Sequence, residues 1–182
     1  ALGCLHCSEM RRPAAVFDID DTLFDASRRL REALERAGAP GSDPSRLRGS
    51  RRESFWRAFL SEELLTLDSP YASVVELVKS KKRAGLAMIL ITGRPERLRR
   101  ATIRQLEEAG VPFDELHMRR DGDRRPEVGF KIDAVRRLSR SWDVREFHDN
   151  NPQVIEAVAE LLPDAILFIH SRGRWRIWRR LT

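Results

Sequence analysis

Apolar residues along the chain fall into short continuous runs, separated by longer stretches with helical spacing. Ala14–Ile19 (AAVFDI) and Leu86–Ile91 (LAMILI) are the clearest runs, followed by Glu115–Met118, Val144–His148 and Ala165–His170 (AILFIH). Runs of this length without strict alternation predict strands buried on both faces. Between them, Ser73–Ala84 places Val74, Val75, Leu77 and Val78 together and stops before Gly85, which suits a helix C-terminus. Pro95–Ala109 begins on a proline, repeats Leu98, Thr102 and Leu106, and stops at Gly110. Lys131–Leu138 and Pro152–Leu162 complete the set of core helices. Strands alternating with helices of this length predict an α/β fold: a three-layer sandwich around a mostly parallel sheet.

One stretch breaks the alternation. From Phe24 to Leu67 no strand is predicted, and residues 25–37 and 51–66 carry helical patterns. The Gly-, Pro- and Ser-rich AGAPGSDPSRLRGS between them is loop chemistry. The expected organisation is an N-terminal segment (1–12, poorly ordered), a core (13–23 and 68–171), a helical insertion (24–67) and a basic tail (172–182).

Candidate chemistry lies where the apolar runs end. The first leads into Asp18-Ile19-Asp20-Asp21-Thr22. Three carboxylates in four positions repel one another unless a cation neutralises them, and oxygen donors without Cys or nearby His favour a hard ion such as Mg²⁺. The alternative is an acidic turn whose aspartates cap a helix. The second run ends in Thr92-Gly93-Arg94-Pro95, where a hydroxyl and exposed backbone at a helix start make an anion site, or Thr92 simply caps the helix. Lys131 is read as the start of a helix and is the only Lys outside positions 79–82. In an Arg-dominated chain that isolation points to a need for a compact ammonium, against an ordinary surface lysine. A later strand ends in His148-Asp149-Asn150-Asn151, an acid and amides at a carboxyl end, where open α/β sheets bind ligands.

DIDDT, then Thr92, then Lys131, then Asp149 is an ordered set that resembles the four motifs of the haloacid dehalogenase-like (HAD) superfamily. The acid at position 20 is the one its phosphatases and phosphotransferases carry, which disfavours dehalogenation. The resemblance implies Asp18 as nucleophile of an aspartyl-phosphate and Asp20 as general acid, then base. It implies Thr92 and Lys131 on the transferring phosphoryl oxygens. It implies Mg²⁺ held by Asp18, the Asp20 backbone carbonyl and Asp149, with Asn150 where many relatives have a second acid. Thr22, Gly93, Arg94, Arg119 and Arg124 are the implied substrate contacts.

Three runs, Asp68–Val78, Leu116–Pro126 and Asp149–Glu156, are similar to the 3′-phosphatase domain of polynucleotide kinase-phosphatases. Asn150 and Asn151 stand where that group has Asp and Arg, and Glu127 where it has Asp. The similarity implies phosphorylated RNA or DNA ends, or nucleotides, as substrate. The alternatives are a phosphatase of a small metabolite and a non-catalytic nucleic-acid-binding HAD module. No GxxxxGK[ST] loop occurs in the chain, so a kinase half is expected to be either on a separate polypeptide, as a kinase or ligase partner, or missing because this chain is an excised fragment.

Composition adds two points. The 182 residues carry a formal charge of +6, and Lys is confined to positions 79, 81, 82 and 131, so 30 of the 34 basic residues are Arg. Residues 172–182 hold five Arg and no acid, interleaved with Trp175 and Trp178, which suits single-stranded nucleic acid or, alternatively, an edge strand or short helix whose Trp residues pack on the sheet. Phe55, Trp56 and Phe59 recur at helical spacing and are expected to form the insertion's own core, with a substrate-facing role as the alternative. Cys4 and Cys7 make half a zinc site with no second pair, so an incidental role is expected. No run approaches the roughly 20 apolar residues of a membrane helix, and no leader pattern is visible, so a cytoplasmic location is expected.

Overall fold

The structure is a computed structural model in which residues 10–178 are described. Cys4, Cys7 and the last four residues of the basic tail lie outside them. In chain order the elements are β1 (Arg12–Phe17), β2 (Phe24–Asp25), α1 (Ser27–Arg36), α2 (Gly49–Phe59), α3 (Glu62–Leu65), β3 (Ser69–Pro70) and α4 (Ala72–Arg83). They continue with β4 (Ala87–Pro95), α5 (Arg99–Glu108), β5 (Glu115–Arg119), α6 (Glu127–Ser141), β6 (Trp142–Asp149), α7 (Pro152–Leu161), β7 (Ile166–Ser171) and β8 (Arg174–Ile177).

Six strands form one sheet in the order β5-β4-β1-β6-β7-β8, parallel except for β8. The apolar runs serve both faces because successive side chains alternate. Ala15, Phe17, Met88 and Leu90 pack with Val74, Val78 and Leu106 of α4 and α5. Ala14, Val16, Ile89 and Ile91 pack with Ala134, Val135, Val154 and Val158 of α6 and α7. The fold is the three-layer α/β sandwich expected. Among the described residues, no helix is long and apolar enough to cross a membrane.

Central β1 pairs with β4 on one side and β6 on the other, so the chain crosses over in opposite directions from it. That is the switch point at which the carboxyl ends of neighbouring strands open a crevice. Asp18, Thr92 and Asp149 stand at those three ends.

The stretch after β1 is helical as expected, with one difference. Phe24–Asp25 pairs antiparallel with Ser69–Pro70, clamping the two chain crossings at the base of the insertion. Two-residue strands leave no periodicity to read. The insertion has its own core of Ala33, Leu34, Leu47, Phe55 and Leu64. Phe55 belongs to it, but Trp56 does not and remains 40% exposed.

The start of the basic tail is an edge strand. Arg172 (φ 49°) and Gly173 (φ 75°) form a two-residue hairpin loop with both φ positive, and β8 folds back on β7. Glycine is required at 173 twice over, since a Cβ there would lie 2.9 Å from the Tyr71 ring. Trp175 stacks on His170 at 5.7 Å, and Trp178 packs against the core beneath α7.

Candidate active site

Lys131 is the hub of the crevice. Helix α6 begins at Glu127, so Lys131 sits one turn inside rather than at the helix start. Its buried Nζ donates to Asp18 Oδ1 (2.9 Å) and Asp149 Oδ2 (2.7 Å), and lies 2.7 Å from Glu127 Oε1 one turn earlier. Three carboxylates thus share one ammonium. Burial, with Asp149 and Glu127 nearby, pushes the Asp18 carboxyl well above the usual carboxylate range against the pull of Lys131. Burial likewise raises Asp149. Burial opposes the charge on Lys131, but Asp18, Asp149 and Glu127 outweigh it and hold the group as ammonium. The cluster is left with excess negative charge.

The remaining acceptors of the two aspartates are occupied locally. Thr22 Oγ1 donates to Asp18 Oδ2 (2.9 Å), and Asp149 Oδ1 accepts from the Asn151 backbone N–H (2.8 Å). Thr22 is fully buried, so it orients Asp18; this corrects its expected contact with substrate. Asn151 also caps α7 through Gln153 and donates to Glu127 Oε2 (3.2 Å).

Asp20 has a different environment. Arg94 Nη2 lies 2.6 Å and Arg29 Nη2 2.5 Å from its Oδ1. Burial alone would raise its carboxyl, but the two guanidinium groups outweigh it and hold Asp20 well below the usual range. Both arginines also grip Asp68, whose carboxyl burial pushes up to about 6 despite them. Arg94 spends its remaining donors on Thr102 (3.2 Å) and Gln105 (2.7 Å). Its expected contact with substrate is therefore corrected: the buried guanidinium positions Asp20 and has no free edge. The two guanidinium groups thus favour the carboxylate form of Asp20.

Thr92 Oγ1 accepts from the Arg94 N–H (3.2 Å) within β4 and caps no helix, which corrects the helix-cap alternative; the residue lines the crevice. Gly93, Arg119, Arg124 and Asn150 line it too. Arg119 is tied back to the Arg125 carbonyl (2.7 Å) and lies over Phe130, with its buried Nε unpartnered among the described residues. The side chains of Arg52, Arg57, Arg120 and Arg124, also on the wall, have no ion-pair or hydrogen-bond partner among the described residues. The cleft measures about 1510 Å³, beyond the roughly 300–1,000 Å³ of small-molecule pockets.

Arg29, Asp68, Gln105 and Glu127 are the site residues that sequence reasoning missed. Arg29 left one trace: it occupies the buried face of α1 with Ala33, a cation on an apolar stripe.

The donors fit a hard divalent ion. All are oxygens, and the cluster has more carboxylates than cations. Among the described residues, no three His, Cys, Asp or Glu side chains form a metal-holding group. Mg²⁺ commonly takes one or two carboxylates and completes its shell with water and phosphate, which suits Asp18 and Asp149.

The family model for the polynucleotide kinase PNKP phosphatase domain matches residues 50–162. That span holds Thr92, Lys131 and Asp149, to which Asp18 is joined by the contacts above. No match is found among curated proteins. Among solved structures, a chain of the Pnkp1/Rnl/Hen1 RNA repair complex is 21% identical with a TM-score of 0.64, covering 90% of this chain and 43% of that one. A chain of a second Pnkp1/Rnl/Hen1 complex is 22% identical (TM-score 0.64; 91% and 48% covered). A haloacid dehalogenase-like hydrolase from Streptococcus pneumoniae is 14% identical (TM-score 0.62; 82% and 80% covered). At these identities the likeness is one of fold, and the chain spans less than half of the two Pnkp1/Rnl/Hen1 chains. The family match covers more than half of the chain and holds three of the four motif residues, so the chain belongs to the PNKP phosphatase-domain family and is a HAD-type phosphatase.

Proposed function

We propose that this domain is a Mg²⁺-dependent phosphomonoesterase that removes 3′-phosphates from nucleic-acid ends through an aspartyl-phosphate at Asp18. The observation that carries the proposal is the buried Asp18–Lys131–Asp149 cluster, which meets a large cleft at Asp18 and is overlooked by arginine side chains without partners among the described residues. A wide cationic cleft suits a polymer end better than a small metabolite.

In the first step an Asp18 carboxylate oxygen attacks phosphorus, the ester P–O bond breaks, and the leaving 3′ oxygen takes up a proton, from Asp20 where it carries one and otherwise from water. Lys131, fixed among the carboxylates, offsets the repulsion between an anionic nucleophile and an anionic substrate. Thr22 holds the far Asp18 oxygen, so the carboxylate meets the phosphoryl group in one orientation. In the second step water attacks the acyl-phosphate and Asp20, held ionised by Arg94 and Arg29, accepts its proton. Asp20 serves as acid in the first step only in a state where those guanidinium groups let it keep that proton. Asp18, Asp149, the Asp20 backbone carbonyl and Asn150 are the residues to hold Mg²⁺. When bound, the ion supplies charge neutralisation and orientation of the phosphoryl group. The fold likeness to a chain of an RNA repair complex supports RNA ends as substrate and a kinase or ligase partner on another chain.

A side-by-side comparison of phosphate release from a 3′-phosphorylated oligonucleotide and from a panel of small phosphomonoesters tests the substrate class. The proposal expects the higher kcat/KM on the oligonucleotide. A small ester as the better substrate would overturn it and keep only the phosphatase chemistry.

A further inference from the structure

The insertion turns one aromatic side chain towards the cleft instead of its own core. Helix α2 contributes Arg52, Trp56 and Phe59 to the cleft wall. Phe55 is 1% exposed, whereas its neighbour Trp56 is 40% exposed. The Trp56 ring is steadied by edge-to-face contacts with Phe55 (4.9 Å) and Phe59 (5.8 Å). The Arg29 guanidinium lies over the Phe59 ring at 4.3 Å, and the same guanidinium holds Asp20. Two contacts therefore fix Trp56 relative to the reacting groups.

Arg52 precedes Trp56 by one helical turn, so the two side chains neighbour each other on one face. A large aromatic beside a cation without a partner matches the alternation of base and phosphate along a single strand. An indole left 40% exposed on the cleft wall forgoes burial in the adjoining core.

We propose that Trp56 is a stacking platform for the terminal base of a single-stranded 3′ end, with Arg52 on a neighbouring backbone phosphate. The inference rests on the polynucleotide reading of the site. It sets a preference within that class: a stacked base must be unpaired, so single-stranded or frayed ends are taken over blunt duplex ends.

The test measures kcat/KM on two 3′-phosphorylated single-stranded oligonucleotides, one with a terminal base and one whose last nucleotide is abasic. Wild type, Trp56→Ala and Trp56→Phe are compared. Stacking on one base predicts that removing the base slows the wild type about 5- to 150-fold. Trp56→Ala should lose a similar factor on the base-bearing end and little more on the abasic end, while Trp56→Phe retains most of the rate. A Trp56→Ala loss equal on both ends, or no loss on either, would overturn the platform. Should Trp56→Ala not fold, equal wild-type rates on the two ends would overturn it alone. Turnover of small phosphoesters with neither oligonucleotide cleaved is a separate result: it defeats the polynucleotide reading, and the platform with it.

Discussion

Arg94 shows how much of this site is electrostatic support. Its guanidinium is buried and its donors reach Asp20, Asp68, Thr102 and Gln105. Breaking a buried ion pair leaves charge without compensation, which costs about 3–5 kcal/mol. Arg94→Ala is accordingly expected to lose stability on that order, read as a lower denaturation midpoint in urea, and to lose turnover because Asp20 is no longer held. An unfolding free energy within a few tenths of a kcal/mol of wild type would contradict the account. The four motif residues were legible in sequence because each stands at the end of an apolar run or, for Lys131, alone in an Arg-rich chain. Arg94 was legible as a site residue but not in its role, since the run of letters does not show that four partners use up its donors. Arg29 and Asp68 were not legible: they meet across 39 positions, and only the folded insertion brings them to Asp20.

At the scale of elements, the seam between β6 and β7 carries a buried imidazole pair. His148 Nδ1 lies 2.9 Å from His170 Nε2, and the His148 ring is stacked between Phe17 (3.9 Å) and Phe168 (4.4 Å). Burial lowers His148 to about 4, against the Glu146 hydrogen bond that favours its charge, and burial lowers His170 to about 3. An unfolded histidine titrates near pH 6.5. Above that pH both residues are neutral in both states and cost nothing. Between about pH 6.5 and 4 the unfolded chain binds protons that the folded chain does not, so stability falls as pH falls through that window. Melting temperature against pH should show this decline, and His170→Phe should flatten it; an unchanged slope in the variant would remove the pair from the explanation. The major strands were legible because burial on both faces makes them continuous apolar runs. The first turn of α6 was not, since Pro126-Glu127-Val128-Gly129 reads as loop when only its letters are considered. The clamp between β2 and β3 was hidden because its pairing partners lie far apart in the chain. The hairpin at Arg172–Gly173 answers the tail's ambiguity in part: residues 174–177 are an edge strand whose arginines are exposed.

At the scale of the molecule, the sheet supplies a switch point, the insertion supplies one wall, and the long loop before α6 supplies the other. The cleft wall holds arginine side chains without partners among the described residues, while the cluster beneath it holds an excess of carboxylates. On the proposed function, a polyanion would be drawn to the wall, and the carboxylates would hold a divalent cation that orients the phosphoryl group. The central claim is that Asp18, with Mg²⁺, is the nucleophile towards a phosphorylated nucleic-acid end. The most direct measurement is inorganic phosphate release from a 3′-phosphorylated oligonucleotide, by wild type and Asp18→Asn, each with Mg²⁺ and with a chelator. The account predicts release by wild type only with Mg²⁺, and a loss of roughly 10⁴-fold or more in Asp18→Asn with its melting transition retained. Release that persists in chelator, or in a folded Asp18→Asn, would contradict it.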